Sequence, residues 1–197
     1  NCTDGFCSAF IVKKYFNTLF NKSLSQEELK NIPIFGIHPR DIQLELIEFQ
    51  KGDIVVDLPK PAGDFFFWCD HHETSKPKEE SLSENELWRL VPSCTGLLID
   101  LAKENGLKLN KEIKDFKQAI DVMDGALYTK EDIKLCYYEQ DSNNLPLQKL
   151  HMINAIFFTR DRTLNDTLFE TLLMDDLGTT PLSSKNIWQF RPDIFHK

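Results

Sequence analysis

Apolar residues recur at three- and four-residue steps near the start of the chain. Phe6, Ala9, Phe10, Val12, Phe16, Leu19 and Phe20 predict a helix over residues 4 to about 20 with one buried stripe, and Asp4 is placed to cap it. Ser25 and Glu28 have capping-box spacing for a short helix that must end near Pro33. Ile42, Leu44, Leu46 and Phe49 keep apolar character without a decisive period. Gly52 then punctuates the chain, and Ile54-Val55-Val56 reads as a buried strand running out into Asp57. Residues 58–63 form a turn by their Pro and Gly content. A second buried strand covers residues 64–69 and ends in Asp70-His71-His72. The polar stretch 73–86 predicts a mobile surface loop. Pro92-Ser93 opens a helix through about Asn105, which Gly106 closes. A further helix covers 111–123; beyond it, 152–158 and 165–177 read as helical, with a break over 178–181.

Composition narrows the partners. The 197 residues include 23 Lys plus Arg against 31 Asp plus Glu, a formal charge of −8, which speaks against gripping duplex nucleic acid by general phosphate neutralisation. A small anionic substrate stays open. Hydrophobic content of 41% suffices for a buried core. No apolar run approaches the roughly 18 residues of a membrane span, so no membrane partner is expected. Five scattered cysteines without an apolar leader predict reduced thiols and a cytoplasmic protein. Because chemistry begins within four residues of Asn1, an upstream strand is expected to precede it.

Two strands end in acidic or imidazole residues, Asp57 after the first and Asp70-His71-His72 after the second. In open α/β sheets such ends converge on one crevice, so these groups are expected to meet there with Asp4 at the mouth of the first helix. Carboxylates with imidazole and no thiolate cluster favour Mn²⁺ or Mg²⁺, with zinc or iron as alternatives. Arg160 and Arg162 offer either a second phosphate contact or a solvated face, and residues 65–68 either a stacking surface or core.

Asn1-Cys2-Thr3-Asp4-Gly5-Phe6-Cys7-Ser8-Ala9, Val56-Asp57, Cys69-Asp70-His71-His72 and Ala119-Ile120-Asp121 resemble, in order and general spacing, the four motifs of the DHH phosphoesterases. The first motif is similar to the branch with Asn-Cys-x-Asp-Gly. The resemblance spans residues 1–121. It implies an α/β fold with a mainly parallel sheet flanked by helices, a DHH-like catalytic domain over 1–130, and a helical extension over 131–197 that is a partial second domain or part of the first. It also implies metal-dependent hydrolysis of a phosphodiester or phosphoanhydride in a nucleotide, short single-stranded oligonucleotide or similar small anion, by a chain that could self-associate.

Carried over by motif, the resemblance makes Asp4, His71 and Asp121 ligands of one cation, Mn²⁺ or Mg²⁺, with Asp57 bridging it to a second, weaker site. His72 would contact the phosphate, and Asp70 would orient the pair. Asp124 competes with Asp121 for the fourth position; Asp121 fits better because a small and apolar pair precedes it and apolar residues follow. Cys2 stands where the family often has Asp, which depletes the second site. The 13 positions from Asp57 to Asp70 leave little room for a crossover helix, so a hairpin or compressed connection is expected. Two other readings remain: a degenerate, non-catalytic family member that binds a nucleotide or protein, and an interaction protein with an accidental Asp-His-His.

Overall fold

The computed structural model describes residues 2–78, 82–137 and 145–158. Helix α1 (Thr3–Phe20) leads into the short α2 (Gln26–Lys30) and α3 (Pro39–Gln43), followed by strands β1 (Ile54–Val56) and β2 (Phe67–Asp70). A single 3-10 turn, Glu73–Ser75, and strand β3 (Glu86–Trp88) precede α4 (Cys94–Glu104), α5 (Lys111–Asp124), α6 (Lys130–Tyr137) and α7 (Leu145–Phe158). The expected helices over 4–20, 92–105 and 111–123 are present. The Ser25–Glu28 capping box also forms, with Glu28 Oε2 accepting from the Ser25 N–H at 2.8 Å and Ser25 Oγ accepting from the Glu28 N–H at 3.2 Å. Strand β3 starts at Glu86, the last residue of the stretch read as polar loop, and α3 overlaps the unassigned stretch at Ile42 and Gln43.

The fold is α/β with a three-stranded, fully parallel sheet in the order β1-β2-β3. Ile54 lies opposite Phe67, Val55 opposite Trp68 and Val56 opposite Cys69; Cys69 in turn lies opposite Leu87. Side chains alternate across the sheet, as the two-residue strand period requires. Ile54, Val56, Phe67, Cys69 and Leu87 join the main core, whereas Val55, Trp68 and Trp88 pack on the other face with Ile42, Phe49 and Leu58. Phe67 and Trp68 are therefore core residues. The main core continues through Phe6, Phe10 and Ile11 of α1, Leu97 and Leu98 of α4, and Phe116 and Ile120 of α5. Leu147, Leu150 and Ile153 of α7 belong to it too, so the chain beyond 130 shares this core as far as α7.

β1 and β2 are neighbours in a parallel pair, yet only residues 57–66 connect them. That is shorter than the dozen or so residues such a crossover usually takes. The connection is compressed and is not a hairpin. Asp57 begins it with φ of 56°, and Gly63 reverses the chain at φ of 88°. Asp tolerates this left-handed region better than most residues because its short polar side chain bonds locally. Among the described residues, no helix is long and apolar enough to cross a membrane. The predicted helix over 165–177, the break at 178–181 and Arg160 and Arg162 lie outside the described residues.

Candidate metal centre

Asp57 and Asp70 stand at the carboxyl ends of adjacent parallel strands, the edge where an open α/β sheet forms its crevice. The Asp57 N–H extends the ladder by donating to the Cys69 carbonyl at 2.9 Å. The first turn of α1 arrives at the same edge. Its N-cap is Cys2, whose Sγ accepts from the Gly5 N–H at 3.2 Å, and not the expected Asp4. Asp4, one residue inside the helix and fully buried, caps a different helix. Its Oδ2 accepts from the Cys94 N–H at 2.7 Å and its Oδ1 from the Thr95 N–H at 3.0 Å. These are the first orphan donors of α4, so the carboxylate also meets the positive end of that helix.

His71 receives the carboxylates. Its Nδ1 lies 2.9 Å from the Val91 carbonyl, which can only accept, so Nδ1 carries the proton. Nε2 faces inward to Asp124 Oδ2 at 3.3 Å, Asp57 Oδ1 at 3.4 Å and Asp4 Oδ2 at 3.6 Å. None of these contacts has hydrogen-bond geometry, and both His71 Nε2 and Asp57 Oδ1 are buried without a partner. A lone pair aimed at three carboxylate oxygens is repulsive unless a positive charge sits between them. Burial alone would lower the His71 pKa, but Asp124, Asp57, the Val91 carbonyl and Asp4 together raise it to about 11. Asp4 shows the same demand from the other side: burial, then the charges of Asp57 and Asp124, push its carboxyl well up.

Asp70 and His72 form a second unit. Asp70 is buried, and its Oδ1 accepts from the His71 N–H and from His72 Nδ1, both at 2.8 Å. Burial raises the Asp70 carboxyl, but these bonds, His72 foremost, hold it below the ordinary range. The half-exposed His72 ring is fixed in orientation by Asp70, and its basicity is raised primarily by that bond. The two imidazoles lie 4.3 Å apart between centroids.

The structure gathers Asp4, Asp57, Asp70, His71 and His72, but it does not bring Asp121 to them. Asp121 Oδ1 accepts from the Ser93 hydroxyl at 2.5 Å and Oδ2 from Lys117 Nζ at 2.9 Å. Asp124, three residues on, reaches His71 instead. On a helix these two positions point in directions about 60° apart, and the nearer partners of Asp121 claim both its oxygens. Of the two aspartates it is therefore Asp124, and not the expected Asp121, that belongs to this group. Sequence reading also missed Ser93, whose position before an apolar helical run was its visible signal, and the Val91 carbonyl, for which the chain offers none.

Two overlapping groups could hold a cation, Asp4 with His71 and Asp124, and Asp57 with Asp70, His71 and His72. Ligand atoms about 2.1 Å from one cation lie about 3.0–3.4 Å from each other, close to the spacings around Nε2. Asp57 Oδ2, on its other side, accepts from the Cys2 thiol at 3.0 Å. Burial first, then Asp57, raises the Cys2 pKa far above the ordinary thiol value, so beside these carboxylates alone the sulfur keeps its proton and donates it to Asp57. Compared with protein-family models, curated proteins and solved structures, the chain matches none of them.

Proposed function

We propose that the protein is a metal-dependent phosphoesterase of the DHH type, hydrolysing a phosphodiester or phosphoanhydride in a small nucleotide-like anion. The observation that carries this reading is His71 Nε2, buried without a hydrogen-bond partner and facing Asp4, Asp57 and Asp124. Those four residues would hold the cation, and their three carboxylates favour Mn²⁺ or Mg²⁺. A divalent ion there supplies Lewis-acid polarisation of a phosphoryl oxygen and water that is acidic enough to react near neutral pH.

The protein's own groups do the positioning. The Val91 carbonyl fixes the His71 tautomer, and the α4 backbone fixes the Asp4 carboxylate. Asp70 holds His72 by Nδ1, which leaves Nε2 to donate to phosphoryl oxygens as charge gathers on them. The test is hydrolysis of bis(p-nitrophenyl) phosphate and of pyrophosphate with Mn²⁺. Turnover of at least one is expected, and His71→Ala abolishes it while retaining a cooperative melting transition. Wild-type turnover in that variant contradicts the assignment.

A second reading has one specific observation behind it. The Cys2 thiol donates to Asp57 Oδ2, the oxygen that would be left for a second ion with Oδ1 facing His71. A non-catalytic nucleotide-binding module accordingly predicts one ion per chain and nucleotide binding without turnover.

A further inference from the structure

A cleft of about 300 Å³ opens beside His71 and His72, at the lower limit of ligand clefts, about 300–1,000 Å³. Its size suits one nucleotide unit better than an extended oligomer. Its lining has two chemistries: Glu73, Asp124 and the imidazoles are polar, whereas Leu90, Pro92 and Leu127 are apolar. Leu90 and Leu127 are 67% and 57% exposed. Among the described residues that line the cleft, none is Lys or Arg.

Local structure brings the apolar part together. Gly125 ends α5 so close to Pro92 that a Cβ on it would lie 2.9 Å from the Pro92 Cβ. Ala126 then turns the chain at φ of 52°, and the Leu127 N–H bonds back to the Val122 carbonyl at 2.9 Å. Leu127 is thereby held beside the segment that carries Leu90, next to Asp124.

Resting on the phosphoesterase reading, we infer that this cleft takes a phosphodiester monoanion with a nucleobase or similarly flat apolar group beside the scissile phosphorus, seated on Leu90, Pro92 and Leu127. Chains of several phosphates are rejected. One phosphoryl group can be neutralised by the cation that the carboxylate–imidazole centre would hold. Each additional phosphate would enter a space beyond the two imidazoles that offers Glu73 and two leucines and neither Lys nor Arg, so its lost hydration is not replaced. A flat apolar group gains what the phosphate loses, by covering exposed leucine and proline surface.

The test compares kcat/KM with Mn²⁺ for the p-nitrophenyl ester of thymidine 5′-monophosphate, methyl p-nitrophenyl phosphate and inorganic tripolyphosphate. In both esters the oxygen of water bonds to phosphorus, the bond to p-nitrophenolate breaks and a proton passes to solvent. The thymidine ester is expected to exceed the methyl ester by about tenfold or more, with tripolyphosphate lowest. The double variant Leu90→Ser/Leu127→Ser brings the ratio of the esters towards one, at an unchanged melting temperature. Equal use of the esters by the wild-type protein, a ratio that survives the double variant, or a preference for tripolyphosphate overturns the inference. If nothing is turned over, the phosphoesterase reading fails by itself, and calorimetry with thymidine 5′-monophosphate and Mn²⁺ then decides the cleft. Binding weakened about tenfold by the double variant supports the inference, and absent or unaltered binding overturns it.

Discussion

His71 is asked for opposite things at its two ring nitrogens. The Val91 carbonyl requires a proton on Nδ1, and three carboxylate oxygens require a positive charge at Nε2. The pairing decides between two aspartates on one helix. Asp124→Asn removes a carboxylate from the group, and we expect Mn²⁺ affinity to fall about tenfold or more, the scale of a lost ligand or its close support. Asp121→Asn removes charge-assisted bonds from Ser93 and Lys117, so it should cost about 1–3 kcal/mol of stability while leaving the Mn²⁺ affinity close to that of the wild-type protein. Calorimetric titration and urea unfolding of both variants check this contrast. The sequence made residues 121 and 124 both visible as candidates. It could not show that Ser93, 28 positions upstream of Asp121, claims the first of them.

At the scale of elements, the site is held by helix ends. Ser93 caps α4 through the Gly96 N–H at 2.9 Å, while Asp4 of α1 takes the N–H groups of Cys94 and Thr95. α1 and α4 pack directly on each other. Gly96 permits this arrangement, because a Cβ there would collide with Asp121 Oδ1 and lie 2.8 Å from Ser93 Oγ. Gly96→Ala is expected to destabilise the protein by about 1–3 kcal/mol through overpacking, read as a lower urea midpoint. Helices were legible from their apolar spacing, and Ser25 and Ser93 each stand where the chain enters one; the Asn110 cap of α5 emerged only in the structure. β3 was not legible, since it is only three residues long and Leu87 alone of the three faces the main core. The parallel β1–β2 pairing was expected from strand ends meeting at one crevice, although the short connection between them left a hairpin equally open. The cap on α1 was misassigned. Asp4 has the chemistry of a cap, but the helix it caps is 90 positions away.

Across the whole molecule, helices α1, α4, α5 and α7 build the main core on one sheet face, and the carboxylates lie at the sheet's carboxyl edge. α7 fastens the layer to the site, with the Thr3 hydroxyl donating to Asn154 Oδ1 at 3.1 Å. His151 of α7, partly buried and 3.1 Å from the Tyr128 hydroxyl, has its pKa lowered by burial. Its folded pKa lies below the ordinary 6.5, so below that pH the unfolded chain binds the proton more readily. Stability from this residue is full above about pH 6.5 and falls as pH drops towards the folded value. Unfolding midpoints at pH 7 and 5.5 should therefore fall more in the wild-type protein than in His151→Gln; an equal or larger fall in the variant refutes the assignment. The central claim concerns the edge of the sheet, where residues far apart in sequence surround one place. Its most direct test is an anomalous difference map from crystals soaked in Mn²⁺. A cation held by these residues gives a peak about 2.0–2.3 Å from His71 Nε2, bounded by the carboxylates of Asp4, Asp57 and Asp124. A map with no peak there, or with manganese bound at Asp121 instead, contradicts it.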